Sequence, residues 1–146
     1  MKLMGIGLSL IALTAGAAAA QDTPEPDRAG QGTLICEGTG TVRLDMAGNL
    51  FISADHPGNA RIRNADQVLA SGSGQRIDRG NWTYLRGWEG EINVSGNRFQ
   101  ARLTGHHATF TATGRGRAWL RGVGHCFANG IRVELTSAEQ EVSLEA

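Results

Sequence analysis

The chain has 146 residues, no formal net charge at neutral pH and 40% hydrophobic residues, enough for one domain with a modest core. Lys2 is its single lysine, so the other positive side chains are arginines, and two cysteines are too few for a zinc cysteine cluster. Ninety residues separate Cys36 from Cys126, which also excludes a redox Cys-x-x-Cys motif.

At the start of the chain, Lys2 precedes a short apolar run over 3–15 and then Ala17, Ala18, Ala19 and Ala20 before Gln21. One positive charge, a hydrophobic run and an Ala-x-Ala site formed by Ala18 and Ala20 predict a signal peptide over 1–20. The run is shorter than the roughly 20 residues a bilayer span needs. No cysteine follows it for lipid attachment, so the expected product is periplasmic or secreted, bacterial, and without a membrane span. In that oxidising compartment Cys36 and Cys126 are expected to form a disulfide joining the first and last parts of the domain.

Residues 21–32 hold Pro24, Pro26, three acids and two glycines without apolar periodicity, and read as a disordered acidic linker. From 33 to 146 the sequence reads as a single all-β domain. No helical apolar spacing appears, and glycine recurs too often for helix interiors. Period-two alternation appears in its place: Val42, Leu44 and Met46; Ile92 and Val94; Phe99, Ala101 and Leu103; Phe110 and Ala112; Ile131, Val133 and Leu135. Antiparallel strands with one buried face produce this pattern. Turn residues fall between the stretches at Gly48-Asn49, Pro57-Gly58, Gly72 to Gly74, Gly96-Asn97, Gly105-His106 and Asn129-Gly130. They predict a meander of about eight to ten short strands, either a small antiparallel sandwich or a partly closed barrel of short hairpins.

An internal echo relates 38–48 to 114–124, with glycine at 38, 40 and 48 matching 114, 116 and 124, and Leu44 matching Leu120. Two copies suggest two related sheet halves. The stretch 94–124, with its Gly-Asn turn, its Thr109, Thr111, Thr113 strand and Gly-x-Gly-x-Ala-x-Leu-x-Gly-x-Gly, resembles a motif of small exported bacterial β-proteins of unassigned activity. That resemblance implies the fold and a bacterial envelope location, and no chemistry.

Catalytic and metal-binding patterns are weak. His106-His107 sits at a turn, His125 abuts Cys126, and Asp55-His56 with Ser53 lacks further triad partners within its own strand. Glu89 and Glu91 lie beside Trp88 in an expected turn, and no nucleophile elbow, phosphate-binding loop or dinucleotide fingerprint is present. The reading is therefore a non-catalytic protein with no cofactor and no metal.

Charge is unevenly laid out. Between 56 and 122 there are ten Arg and four acids, while the rest of the exported chain has three Arg and ten acids. Such a chain either binds anions or folds its acidic ends onto its basic middle. Strand parity puts Arg115, Arg117, Trp119 and Arg121 on one wet face, continuing through Thr109, Thr111 and Thr113 to Arg98, Gln100 and Arg102. Guanidinium groups with an aromatic neighbour suit an anionic envelope glycan, lipid head group or protein; nucleic acid is disfavoured by export. The ordinary account of the same residues is a solvated sheet face. Trp82 or Tyr84 is expected in the core. The competing function is a periplasmic inhibitor or assembly partner using Trp88 and Glu89, with a hydrolase behind it.

Overall fold

The computed structural model describes residues 31–144, so the expected signal peptide, most of the expected acidic linker and the last two residues lie outside the described residues. The described chain is all-β and antiparallel, with strands β1 (Gly32–Arg63), β2 (Gln67–Arg79), β3 (Trp82–Ala128), β4 (Ile131–Glu134) and β5 (Gln140–Ser143). The sheet is not closed: β2 forms one edge, while β4 and β5 pair with β3 on the other.

At 32 and 47 residues, β1 and β3 are far longer than ordinary strands of about five or six residues. Their register explains the length. Leu44 lies between Ala101 and Ala118, Ile52 between Ile92 and Phe110, and Cys36 between Phe110 and Cys126. The two partners stand sixteen to eighteen residues apart on β3. The two strands thus form one antiparallel ribbon wound back on itself, each turn hydrogen-bonded to the next.

Following partners sideways separates two layers. The first runs β4, 124–128, 32–38, 108–114, 48–54, 90–96 and 67–73 of β2. The second runs β5, 116–122, 40–46, 99–105, 58–63, 82–88 and 75–79 of β2. The expected alternating segments are present, but their neighbours are remote in sequence, so the connectivity is a wound ribbon rather than a meander.

Corners between the layers are built from facing glycines: Gly38 opposite Gly124, Gly40 opposite Gly122, Gly48 opposite Gly114 and Gly72 opposite Gly90. At Gly114, where φ is +151°, a Cβ would lie 1.9 Å from the Ala47 carbonyl oxygen, a separation no side chain tolerates. Two of the turn signals, at Gly48 and Gly72, are corners of this kind. Asn129-Gly130 is a true hairpin turn, with positive φ at both residues and Ala128 opposite Ile131. The echoed segments 38–48 and 114–124 are each other's antiparallel partners, Gly38 on Gly124 and Gly48 on Gly114. The echo therefore marks a local pseudo-twofold axis, with both copies present in both layers.

Between the layers, large and small side chains alternate across the strands. In one layer the row Ala118, Leu44, Ala101, Ile62 is buried; in the other, Leu34, Ala112, Leu50, Val94. Each fully buried Leu or Phe stabilises the fold by about 1.5–3 kcal/mol over an exposed one. Cys36 and Cys126 sit directly opposite and buried, bonded with their Cα atoms 4.0 Å apart, so the disulfide ties 32–38 to 124–128. Trp82 and Tyr84 are not core residues. They stack on the outer surface at 5.7 Å, and the buried tryptophan is Trp88. A strand that places Thr83 and Leu85 inward must turn Trp82 and Tyr84 outward.

Gly114→Ala should lower stability to urea by about 3 kcal/mol or more, combining overpacking with backbone strain. Gly130→Ala, at φ +83° with open space around it, should cost about 1–2 kcal/mol. Equal losses would contradict the corner geometry.

Candidate functional site

The outer face of the second layer concentrates arginine, because its strands carry Arg at outward positions and the winding sets those strands side by side. Across the strands one row reads Glu141, Trp119, Arg43, Arg102, Arg61, Tyr84. The next reads Ser143, Arg117, Asp45, Gln100, Arg63, Trp82. Neighbouring strands are about 4.8 Å apart, so three guanidinium groups lie on consecutive strands with aromatic rings at either end.

The end arginines are held by those rings. Arg43 lies 4.6 Å from the Trp119 ring, and Arg61 lies 5.3 Å from Trp82 and 5.8 Å from Tyr84. Arg63 also covers Trp82, at 5.4 Å. Arg43 is further paired with Glu139 at 3.2 Å, and Arg117 with Glu141 at 3.5 Å, so the acidic end of the chain does fold onto the basic middle. Compensation stops there: Arg102, between Arg43 and Arg61, has no ion pair, hydrogen bond or ring contact among the described residues.

Two adjoining grooves mark this face. One, of about 560 Å³, is lined by Arg98, Arg115, Arg117 and Trp119, with Asp45 and Asn97. The other, of about 290 Å³, lies between Trp119 and Trp82 and is lined by Arg43, Arg61, Arg102 and Gln100. Trp119 and Asp45 belong to both. Arg98 approaches Asp45, which lies between Arg117 and Gln100 in the second row, at 3.6 Å.

Of the six residues singled out in the sequence, the first groove gathers Arg98, Arg115, Arg117 and Trp119, and the second takes Arg102 with Trp119. Arg121 lies apart, lining a cleft between the layers. The threonine strand is misplaced by the sequence reading. Thr109, Thr111 and Thr113 belong to the first layer, where Thr111 lies between Ile35 and Phe51, on the opposite outer face. Arg43, Arg61 and Trp82 were missed, although Arg61-Ile62-Arg63 shows the outward parity of its strand.

Among the described residues the histidines form pairs rather than clusters. His56 meets His107 at 5.5 Å, His125 lies 3.9 Å from Glu37, and no group of three metal-ligating side chains occurs among the described residues. Trp88 is buried rather than displayed on a loop, which removes the anchor expected for an inhibitor. Comparison with known proteins finds no matching family model, no similar curated protein and no similar solved structure.

On the β2 edge of the same layer, hydrogen bonds from Arg76 and then Thr83 hold the Asp78 carboxyl below its ordinary value. The depressed folded value means that its contribution is present above the unfolded value near 3.8 and is lost as pH falls through the folded one. Asp78→Asn should therefore be less stable than wild type at neutral pH, by at most about 1 kcal/mol for so exposed a group. Thermal unfolding across pH 2–7 checks this: the gap should close on acidification, and a constant gap would rule the linkage out.

Proposed function

We propose that this chain is an exported, non-catalytic binding module of the bacterial envelope whose basic outer sheet face holds an anionic ligand. The carrying observation is the Arg43, Arg102, Arg61 row. Three like charges on adjacent strands repel one another, and the central one lacks a counter-charge among the described residues. An anion placed over Arg102 relieves that repulsion and accepts bidentate hydrogen bonds, while Trp119 and Trp82 offer flat apolar walls on either side. A polyanion with ring-shaped units, such as an acidic envelope glycan, suits both features; a lipid head group or an acidic protein would use the same charges. The N-terminal pattern of 1–20 and a disulfide compatible with an oxidising compartment support periplasmic or secreted placement. Among the described residues there is no helix long and apolar enough to cross a membrane.

Replacing Arg61 and Arg102 by Ser together should leave the urea midpoint nearly unchanged, since exposed charges contribute about 0–1 kcal/mol each. Retention on immobilised dextran sulfate should fall well below that of wild type, and wild-type retention should weaken as salt shortens the Debye length to about 8 Å near physiological strength. Equal retention of both proteins, or wild-type retention indifferent to salt, would refute the proposal. Unfolding of the double variant would make the row structural.

A further inference from the structure

The outer face of the first layer is apolar along one row and acidic along the next. Across the strands, one row reads Phe127, Ile35, Thr111, Phe51, Asn93, Leu69. Beside it runs Glu134, His125, Glu37, Thr109, Ser53, Glu91. Phe127, Ile35, Phe51 and Leu69 are all exposed, and with neighbouring strands about 4.8 Å apart the apolar row stretches over roughly 24 Å. A contiguous band of this kind marks an interaction surface, whereas exposed apolar residues scattered singly need no account.

The charges beside the band decide what it accepts. Glu134 is paired with Arg132 and Glu37 with His125, but Glu91, also exposed, has no ion pair or hydrogen bond among the described residues. It stands opposite Ser53 and Ser71, so Phe51 and Leu69 are its diagonal neighbours on either side, about 7–8 Å away. The result is an unpaired carboxylate between two apolar side chains. The other outer face carries the converse: Arg102, a guanidinium without a counter-charge among the described residues, in a groove walled by Trp119 and Trp82. Each face offers what the other lacks. Because they lie on opposite sides of the sandwich, one copy cannot bring them together.

We infer that the first-layer face docks on the basic face of a second copy of this chain, an inference that rests on the anion-binding reading of Arg102 and names Glu91 as an anion it takes. The Glu91 carboxylate accepts two parallel N–H bonds from Arg102 of the next copy, and Phe51 and Leu69 cover the guanidinium and ring faces on either side. Two unlike faces pointing opposite ways make a heterologous contact that repeats without closing, so copies stack into an open row. Six strands of seven residues offer roughly 600 Å² per copy. A standard interface buries about 800 Å² per partner, so the stacking is weak, reversible and screened by salt. A polyanion on the basic face and a neighbouring copy exclude one another.

Sedimentation equilibrium at low ionic strength, from about 10 μM to about 1 mM protein, tests this in the range expected of a small interface. The wild-type weight-average mass should climb past that of a dimer without levelling, and return to the monomer value at high salt. Glu91→Arg and Arg102→Glu should each stay monomeric through like-charge repulsion, while an equal mixture of the two associates, because every contact in it can again join opposite charges. On immobilised dextran sulfate Glu91→Arg should be held at least as well as wild type, and Arg102→Glu less well. Wild type that stays monomeric yet is retained on dextran sulfate would overturn the stacking and leave the anion-binding reading standing. A mass that levels at a dimer and ignores Glu91→Arg would overturn it as well, assigning the apolar row to pairing with itself. A mixture that remains monomeric would overturn the pairing of Glu91 with Arg102.

Discussion

Where the wound ribbon bends at paired glycines, two strands approach so closely that a Cβ would stand 1.9 to 2.3 Å from the facing carbonyl oxygen, as at Gly38, Gly40, Gly48, Gly114, Gly122 and Gly124. Such a corner requires glycine on both strands at once, and the sequence supplies matched pairs. This constraint decides where the ribbon folds, how long each straight segment is and which residues meet across the layers. Between corners, the buried residues of β1 keep even parity from Leu34 to Ile62, with His56 exposed at the 54–58 corner. The disulfide stands in the last ladder of the first layer, where Cys36 faces Cys126. In the chain-entropy account, closing so long a loop stabilises the fold by about 4 kcal/mol, less any native strain.

The same winding makes the two outer faces chemically unlike. Segments 40–46, 58–63, 99–105 and 116–122 lie in one layer and carry Arg43, Arg61, Arg63, Arg102, Arg117 and Arg121, so charges scattered over some eighty residues become neighbours. Segments 32–38, 48–54 and 90–96 lie in the other, where Ile35, Phe51 and Phe127 are exposed beside Thr111, and where Glu37 and Glu91 sit. The acidic C-terminal segment covers the edge of the basic face, pairing with Arg43 and Arg117 and leaving Arg102 without a counter-charge among the described residues. The binding we propose thus rests on what the fold leaves unneutralised among the described residues.

Much of this architecture is legible in the sequence because strand parity is local information. The alternation around Leu44, Phe99 and Leu120 identifies the buried side correctly, and the two cysteines pair as expected in the all-β fold. Adjacency is not local. Leu44 takes Ala101 and Ala118 as partners, more than fifty residues away, and nothing in its own segment encodes that choice. Glycine also carries two meanings. Asn129-Gly130 reverses the chain, whereas Gly48 bends it between layers, and both require positive φ. Reading corners as reversals placed Thr109, Thr111 and Thr113 beside the arginine strands and hid Arg43 and Arg61, whose relation to Arg102 exists only through remote pairing.

Cross-strand backbone contacts in solution discriminate the wound ribbon from a meander most directly. In a meander, 42–46 would pair with 50–54 through a hairpin at Gly48-Asn49. Nuclear Overhauser effects from the Leu44 backbone should connect to both Ala101 and Ala118, and those from Ile52 to both Ile92 and Phe110. Contacts linking Leu44 to Ile52 across a hairpin, with none to Ala101 or Ala118, would contradict the winding and the arginine row that depends on it.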